Sequence, residues 1–394
     1  MQRWSEDDIR KIVAAHDQGT SWRELAEEHG YGDYVRTFSR AIRKRRERLH
    51  IQQSTSDRIK AHREQVHRKA ELEALRGLTA KRAMLEELAE VLTGAVETLP
   101  VPAAFVVNPN PPKDLVGLSL LSDVHVGMSV PGRLNAGWTQ NTEITEEQFT
   151  SLAQQIISYE PRPKTLRILD LGDDVEGSSM RVSQIAIVDR FVAQQAILYG
   201  QMLAEFITTL LPYFEHIQID RVPGNHGRVS SKAGLAGLDE LDPANSWDWV
   251  GGEMARAMLK PAIDAKRVTL INHESFYGTT DILGHKILFE HGSSLRGGSS
   301  WGGIPWYGVE RMAAAYRDLE GDYSLLAVGH WHRPFHASAG RYGHVLANGS
   351  FPPTTPFVVA SKHQAARSCQ LYCQFGTEGL VSVQHLYLDT YRDR

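Results

Sequence analysis

The sequence predicts an α/β domain preceded by a small all-α module, and three observations predict it. Beyond about residue 113, short apolar runs of strand length alternate with turns and helical stretches. Each run leads into a cluster holding Asp, His or Asn, and the C-terminal ends of strands in α/β folds are where loops gather binding groups. Before residue 50 the pattern is instead that of short capped helices.

The totals fit this division. A chain of 394 residues suggests about two domains at roughly 150 residues each. Its 42% hydrophobic and 23% charged residues are those of a folded globular protein. No apolar run approaches the ~20 residues of a membrane helix. The start, "MQRWSEDDIRK", is charged rather than signal-like. The expectation is a soluble, intracellular, cytoplasmic protein with no membrane partner. Two cysteines, Cys369 and Cys373, read as buried free thiols rather than a disulfide framework. The net charge of −4 hides an asymmetry. Between Arg36 and Lys69 the basic residues far outnumber Glu47, Asp57 and Glu64, so a basic face sits on an acidic protein.

In chain order, residues 1–50 read as three helices. Ser5 caps the first with Asp8 three residues on, and Ile9, Ile12 and Val13 form its apolar stripe. Ser21 and Glu24 repeat the device before Leu25 and Ala26, and Gly30 and Gly32 then break the chain. A third helix from about Tyr34 keeps Val35, Phe38, Ile42 and Leu49 at helical spacing, with Arg36, Arg40, Arg43, Lys44 and Arg46 crowding its outside. This segment resembles a helix-turn-helix module with a basic recognition helix, which makes those five residues candidate DNA contacts. A solvated basic helix is the competing reading.

Residues 51–112 read as a helical spacer and Pro-rich linker. Leu72, Leu75, Leu78, Leu85, Leu88, Val91 and Leu92 fit a coiled-coil spacer or dimerisation arm over 52–99, hence a homodimer expectation, and equally a lone helix on the main domain. "LPVPAAFVVNPNPPKD" closes the linker. From 113 to 394, "LVGLSLLS", "LRILDL", "HIQIDRV", "RVTLIN", "HKILFE" and "YSLLAVG" are the clearest strands.

The clusters after these strands are "SDVHVG" (Asp123, His125), "LGDDVEG" (Asp173), "PGNHG" (Asn225, His226), "EHG" (His291) and "GHWH" (His330, His332). In this order they resemble the calcineurin-like metallophosphoesterase superfamily, whose signature is D-x-H, G-D, G-N-H, an isolated H and G-H-x-H, over roughly residues 115 to 350. The resemblance implies a four-layer αββα sandwich, two mixed β-sheets flanked by helices. It also implies two divalent ions bridged by Asp173, with Asp123, His125 and His332 completing one and Asn225, His291 and His330 the other. Such ions would activate a water and stabilise an in-line displacement at phosphorus. Mixed nitrogen and oxygen ligation suits Mn²⁺, with Fe or Zn as alternatives, better than an all-oxygen Mg²⁺ site. His273 in "INHES" also follows a strand; His291 is preferred because a glycine follows it, as is usual in the family.

The same resemblance assigns His226 to catalysis rather than metal binding, beside the reacting phosphate. Many members follow this histidine with Asp or Glu, and this chain has Gly227. In the phosphatase branch a G-D-x-x-D carboxylate contacts the histidine, and "GDDVE" places Glu176 there. Glu176 is therefore expected to orient His226, a solvent-exposed glutamate being the alternative. Arg228 and Arg181 are candidate phosphate contacts. The glycine-rich "GSSLRGGSSWGGIPWYG" with Trp301, Trp306 and Tyr307 reads as a base-stacking loop or as a surface loop anchored by buried aromatics. "DVHVG" looks like the first block of the DNA-repair nuclease branch. With the basic module, this favours a metal-dependent DNA nuclease. The alternatives are a phosphomonoesterase or cyclic-nucleotide phosphodiesterase and, from another class, a DNA-binding regulator or packaging factor with a scaffold phosphoesterase domain.

Overall fold

The computed structural model describes residues 4–48, 83, 86–88, 90, 94, 96–103, 112–135, 137–178, 184, 187–229, 245–295, 304–339, 343–353 and 365–388. Arg181, Trp301 and the apolar positions Leu72, Leu75, Leu78, Leu85, Val91 and Leu92 of the 52–99 segment lie outside them. Contacts divide the chain into two units, Met1–Glu73 and Ala74–Arg394.

The first unit contains α1 (Glu6–Asp17), α2 (Trp22–Glu28) and α3 (Val35–Arg48). Both capping boxes form: Asp8 N–H donates to Ser5 Oγ at 3.1 Å and Glu24 N–H to Ser21 Oγ at 3.2 Å, while each carboxylate accepts the serine N–H at 2.9 Å. Ile9, Ile12, Val13, Leu25, Ala26, Phe38 and Ile42 make one core, closed by edge-on contacts of Trp4 and Trp22 with Phe38. The apolar stripe of α3 faces inward, so Arg36, Arg40, Arg43 and Lys44 face solvent. Arg46 differs. It reaches across to Asp17 in a two-pronged ion pair of 3.2 and 3.0 Å.

The second unit places two mixed sheets face to face with helices outside. One sheet has six strands in the order β11-β10-β1-β2-β3-β4, from β1 (Leu115–Leu121), β2 (Thr165–Asp170), β3 (His216–Arg221), β4 (Val268–Asn272), β10 (Cys369–Gly376) and β11 (Gly379–Tyr387). Strands β1 to β4 run parallel, and β10 and β11 run antiparallel at one edge. The other sheet has five strands in the order β5-β6-β7-β9-β8, from β5 (Tyr277–Ile282), β6 (His285–Glu290), β7 (Leu325–Val328), β8 (Phe335–Ala339) and β9 (Gly343–Ala347).

The period-two alternation of these strands builds the layers. Leu118 and Leu120 of β1 meet Ile287 and Phe289 of β6 and Leu325 and Ala327 of β7 between the sheets. On the far face of the six-stranded sheet, Leu166, Ile168, Ile217 and Ile219 pack against α4 (Thr142–Ser158), α5 (Val192–Leu210), α6 (Trp247–Met258) and α7 (Lys260–Asp264). On the far face of the five-stranded sheet, Leu288, Leu326 and Val328 pack under Val309 and Ala313 of α8 (Trp306–Glu320). The result is the αββα sandwich. The stretch read as linker is partly folded onto it: Val96, Leu99 and Val101 join the core beneath α6 and α7, and Leu99 N–H donates to Met258 O at 2.9 Å. Cys369 and Cys373 are free and buried.

Candidate metal centre

Five strands of the two sheets end beside one another, and the loops leaving them hold the candidate ligands. Asp123 and His125 follow β1, Asp173 follows β2, Asn225 and His226 follow β3, His291 follows β6, and His330 and His332 follow β7. The loops are tied backbone to backbone. Asp123 N–H donates to Gly172 O at 2.9 Å, His125 N–H to Asp173 O at 3.0 Å and Gly329 N–H to His291 O at 3.0 Å. Gly172 has φ +83° and a Cβ there would lie 2.2 Å from Gly224 N, so the second and third loops can only cross through glycine.

The backbone is bent where the candidate ligands sit. Seven non-glycine residues among those described have positive φ, and five of them are Asp123, His125, Asp173, His330 and His332, at 52–70°. Left-handed backbone at Asp or His has a cost of order 1–3 kcal/mol each, and it gathers where a site must aim side chains.

Those side chains converge. His332 Nε2 lies 3.1 Å from Asp123 Oδ1 and 3.1 Å from His125 Nε2. His291 Nε2 lies 3.1 Å from Asp173 Oδ2, 3.1 Å from Asn225 Oδ1 and 3.2 Å from His330 Nδ1. Asp123, His125 and His332 form one group able to hold a cation, Asp173, His291 and His330 a second, and His125, Asp173 and His226 a third between them. Asp123 Oδ1 and Asp173 Oδ2 are buried without a hydrogen-bond partner although ring nitrogens stand near them. The approach lacks hydrogen-bond alignment, as expected of ligand atoms aimed at a shared centre, so the residues fit a metal pair. Supporting bonds fix their orientation. Asp173 Oδ1 accepts His226 N–H at 2.7 Å, Asp123 Oδ2 accepts His330 N–H at 3.0 Å, and His291 Nδ1 donates to Leu171 O at 2.8 Å.

Protonation follows from this packing. Burial raises the Asp123 carboxyl, but His332 and His291 outweigh it and hold it at about 2. Asp173 is likewise driven low by His291 and His226 against its burial. Burial and the neighbouring His226 keep His125 neutral, and burial with His291 pushes His330 down to about 3. Burial opposes the charged form of His291, yet Asp173 and Asp123 lift it to about 9.

Glu176 is buried, not solvated, and touches two histidines. Its Oε2 lies 2.9 Å from His125 Nδ1 and 3.5 Å from His226 Nδ1. The nearer partner is thus the candidate ligand His125. His226 Nδ1 donates to the backbone carbonyl of the same residue at 2.9 Å, which turns Nε2 away from Glu176. Gln184, which the sequence did not single out, has its amide nitrogen 3.0 Å from His226 Nδ1 and bonds Glu176 O at 2.9 Å. Burial disfavours the imidazolium of His226, but Asp173 and Glu176 raise it to about 10. Arg228 is half-buried beside this loop, its backbone bridged to Ser246. His273 stands apart, 3.3 Å from Asp220, and belongs to none of the three groups. Trp306 begins α8 and packs at a tilt against Phe335, ring centroids 3.7 Å apart, while Tyr307 is exposed.

Beneath the site lies a buried network with no counterpart in the sequence reading. Arg221 bonds Asp170 Oδ2 at 2.6 Å, Asp174 and Asn272, and Tyr199 donates to Asp170. Burial and Asp170 push the Asp174 carboxyl well up against the pull of Arg221. Asp248, also buried, is raised to about 6 by burial and then by Asp173.

No family model and no curated protein matches the chain. Among solved structures, a single mutant of Vps29 from Entamoeba histolytica is 12% identical with a TM-score of 0.31, covering 68% of this chain and 97% of its own. Wild-type Vps29 with zinc from the same organism is 14% identical, TM-score 0.30, over 69% and 99%. An archaeal phosphodiesterase is 10% identical, TM-score 0.30, over 68% and 98%. Superpositions of this extent carry no argument for what the chain does. No helix among the described residues is long and apolar enough to cross a membrane.

Proposed function

We propose that the chain is a metal-dependent phosphoesterase of the calcineurin-like superfamily that hydrolyses phosphodiester bonds in DNA. One observation carries the reading: seven ligand-type residues from five strand ends converge, five of them on left-handed backbone. Asp123, His125 and His332 would hold one ion and Asn225, His291 and His330 the other, with Asp173 shared; Mn²⁺ suits the donor set. When bound, such a pair supplies Lewis acidity toward a phosphate oxygen and an activated water.

The remaining steps belong to the chain's own residues. His226 keeps Nδ1 on the Glu176 carbonyl and presents Nε2 to the leaving oxygen, to which it donates a proton. Glu176 stabilises the imidazolium and steadies His125. Once engaged by cations, Asp173 would pull less on His226, whose imidazolium it otherwise raises. Arg228 and, beyond the described residues, Arg181 are proposed to meet non-bridging phosphate oxygens. The exposed Arg36, Arg40, Arg43 and Lys44 of α3 are proposed to hold the DNA backbone, with Arg46 engaged by Asp17.

The test is incubation with end-labelled single-stranded and duplex DNA beside an aryl phosphodiester, with Mn²⁺ and with chelator. Chelator-sensitive cleavage of DNA is expected. Hydrolysis of the aryl ester with intact DNA would favour a small phosphodiester substrate, and no Mn²⁺-dependent hydrolysis of either would overturn the reading.

A further inference from the structure

The Asn225–His226 turn has an unfilled requirement and an unexplained glycine, and one residue accounts for both. Gly227 does not need to be glycine for its backbone, since its φ lies outside the left-handed range. It needs to be glycine for space. A Cβ built there would lie 2.6 Å from Asp248 Cγ and Oδ1 and 2.9 Å from Oδ2. The carboxylate of Asp248, in the first turn of α6, thus fills the volume that a side chain at 227 would enter.

That carboxylate is not idle packing. Its Oδ2 accepts Gly224 N–H at 2.8 Å, one residue before Asn225, and its Oδ1 stands 3.4 Å from Val175 N, two residues after Asp173. It therefore joins the loop of the proposed bridging carboxylate to the loop of Asn225 and His226. It is 1% exposed, so it has no solvent-facing alternative position. The helix reinforces this placement: Trp247 N–H donates to Gly227 O at 2.7 Å, and Ser246 caps α6 by accepting Trp249 N–H at 3.1 Å.

We infer that Asp248 is a positioning residue of the metal centre, a carboxylate supplied from α6 that fixes the Asp173 and Asn225–His226 loops against each other, with Gly227 kept small to admit it. The inference rests on the metal-centre reading above. Asp248 belongs to none of the groups able to hold a cation; it acts through the two loops.

The test is a swap. Gly227→Ala, Asp248→Gly, the pair Gly227→Ala/Asp248→Gly and the exchange Gly227→Asp/Asp248→Gly are compared in the full chain. Mn²⁺ affinity is measured by calorimetry, and kcat and KM on an aryl phosphodiester are measured at saturating Mn²⁺. Gly227→Ala and Asp248→Gly should each weaken Mn²⁺ binding about 10- to 100-fold, in line with the loss of outer-shell partners. Adding Gly227→Ala to Asp248→Gly should change affinity less than about twofold, because the clash is already gone. The exchange should recover at least about fivefold in affinity over Asp248→Gly, and kcat with it, leaving KM little changed; a purely structural role at either position gives no such recovery. If Asp248→Gly does not fold, a folded exchange variant supports the inference and an unfolded one overturns it. A tolerated Gly227→Ala, or independent losses in the pair, also overturns it. Wild-type protein that binds no Mn²⁺ would instead remove the metal-centre reading.

Discussion

Replacing Glu176 by Gln perturbs two histidines at once, and the distances set how much each should suffer. The carboxylate is 2.9 Å from His125 Nδ1 and 3.5 Å from His226 Nδ1, and it is 2% exposed. At an effective dielectric of 20, a unit pair at 3.5 Å is worth at most about 5 kcal/mol, and partial solvent screening cuts the net effect to about 1.5–3 kcal/mol. The lower range governs here, because the His226 side chain is 23% exposed and its Nδ1 keeps the Glu176 carbonyl. That corresponds to a fall in kcat of roughly 10- to 150-fold. His226→Gln should cost more, roughly 10²–10⁴-fold, as general-acid help is lost. The double variant should be barely slower than His226→Gln alone. Burial pushes the Glu176 carboxyl up, but His226 and His125 outweigh it and hold it at about 2; removing its charge therefore lowers His226 and moves the basic limb of the kcat profile to lower pH. The contact with His125 adds a second signature, a weaker Mn²⁺ affinity. The assay is an aryl phosphodiester series with good and poor leaving groups at saturating Mn²⁺; good leaving groups should recover part of the loss. Multiplicative losses in the double variant, with no shift of the basic limb, would refute the pairing.

Other outcomes follow from the same geometry. Changing Arg36, Arg40, Arg43 and Lys44 together to Ala should leave the circular dichroism of the chain intact and reduce the slope of log K for DNA against log salt by up to about 3–4, with small-substrate turnover unchanged. Mn²⁺ affinity should rise with pH between about 6 and 8, with proton release seen by calorimetry in two buffers, because His291 is protonated up to about 9 without metal and must be neutral to ligate. Arg221→Met should destabilise the second unit by about 3–5 kcal/mol in thermal melts, since it leaves Asp170 and Asp174 in the core without their guanidinium partner.

The strands were legible because alternation is local. Leu118 and Leu120 on one face of β1 and Leu288 against Ile287 and Phe289 in β6 can be read without knowing their partners. Ser5 and Ser21 were legible for the same reason, their caps closing within three residues. The Asp, His and Asn clusters stand out because each follows a strand, while their roles as candidate ligands come from the resemblance to the metallophosphoesterase signature. What escaped the reading depends on contacts distant in sequence. Asp248 reaches the Gly224–Gly227 turn from a helix about twenty residues on, and nothing around it marks a loop-joining carboxylate. Arg221 looks like the end of a strand, yet its guanidinium is sealed between Asp170 and Asp174. The resemblance to the phosphatase branch sets Glu176 against His226, and only the packed structure shows its shorter contact with His125. Val96, Leu99 and Val101 sit among linker-like prolines and still find an apolar face to cover.

The account turns on Asp173 as the carboxylate shared by two ions, and counting bound Mn²⁺ in wild type and Asp173→Asn, with turnover measured on the same samples, tests it most directly. Asp173 Oδ1 is already held by His226 N–H, so an asparagine can keep that acceptor while losing the charge that faces His291. Wild type should take up two ions per chain and hydrolyse phosphodiester. Asp173→Asn should remain folded, bind at most one ion and show no turnover above the chelated control. A variant that binds two ions and hydrolyses at the wild-type rate would contradict the account.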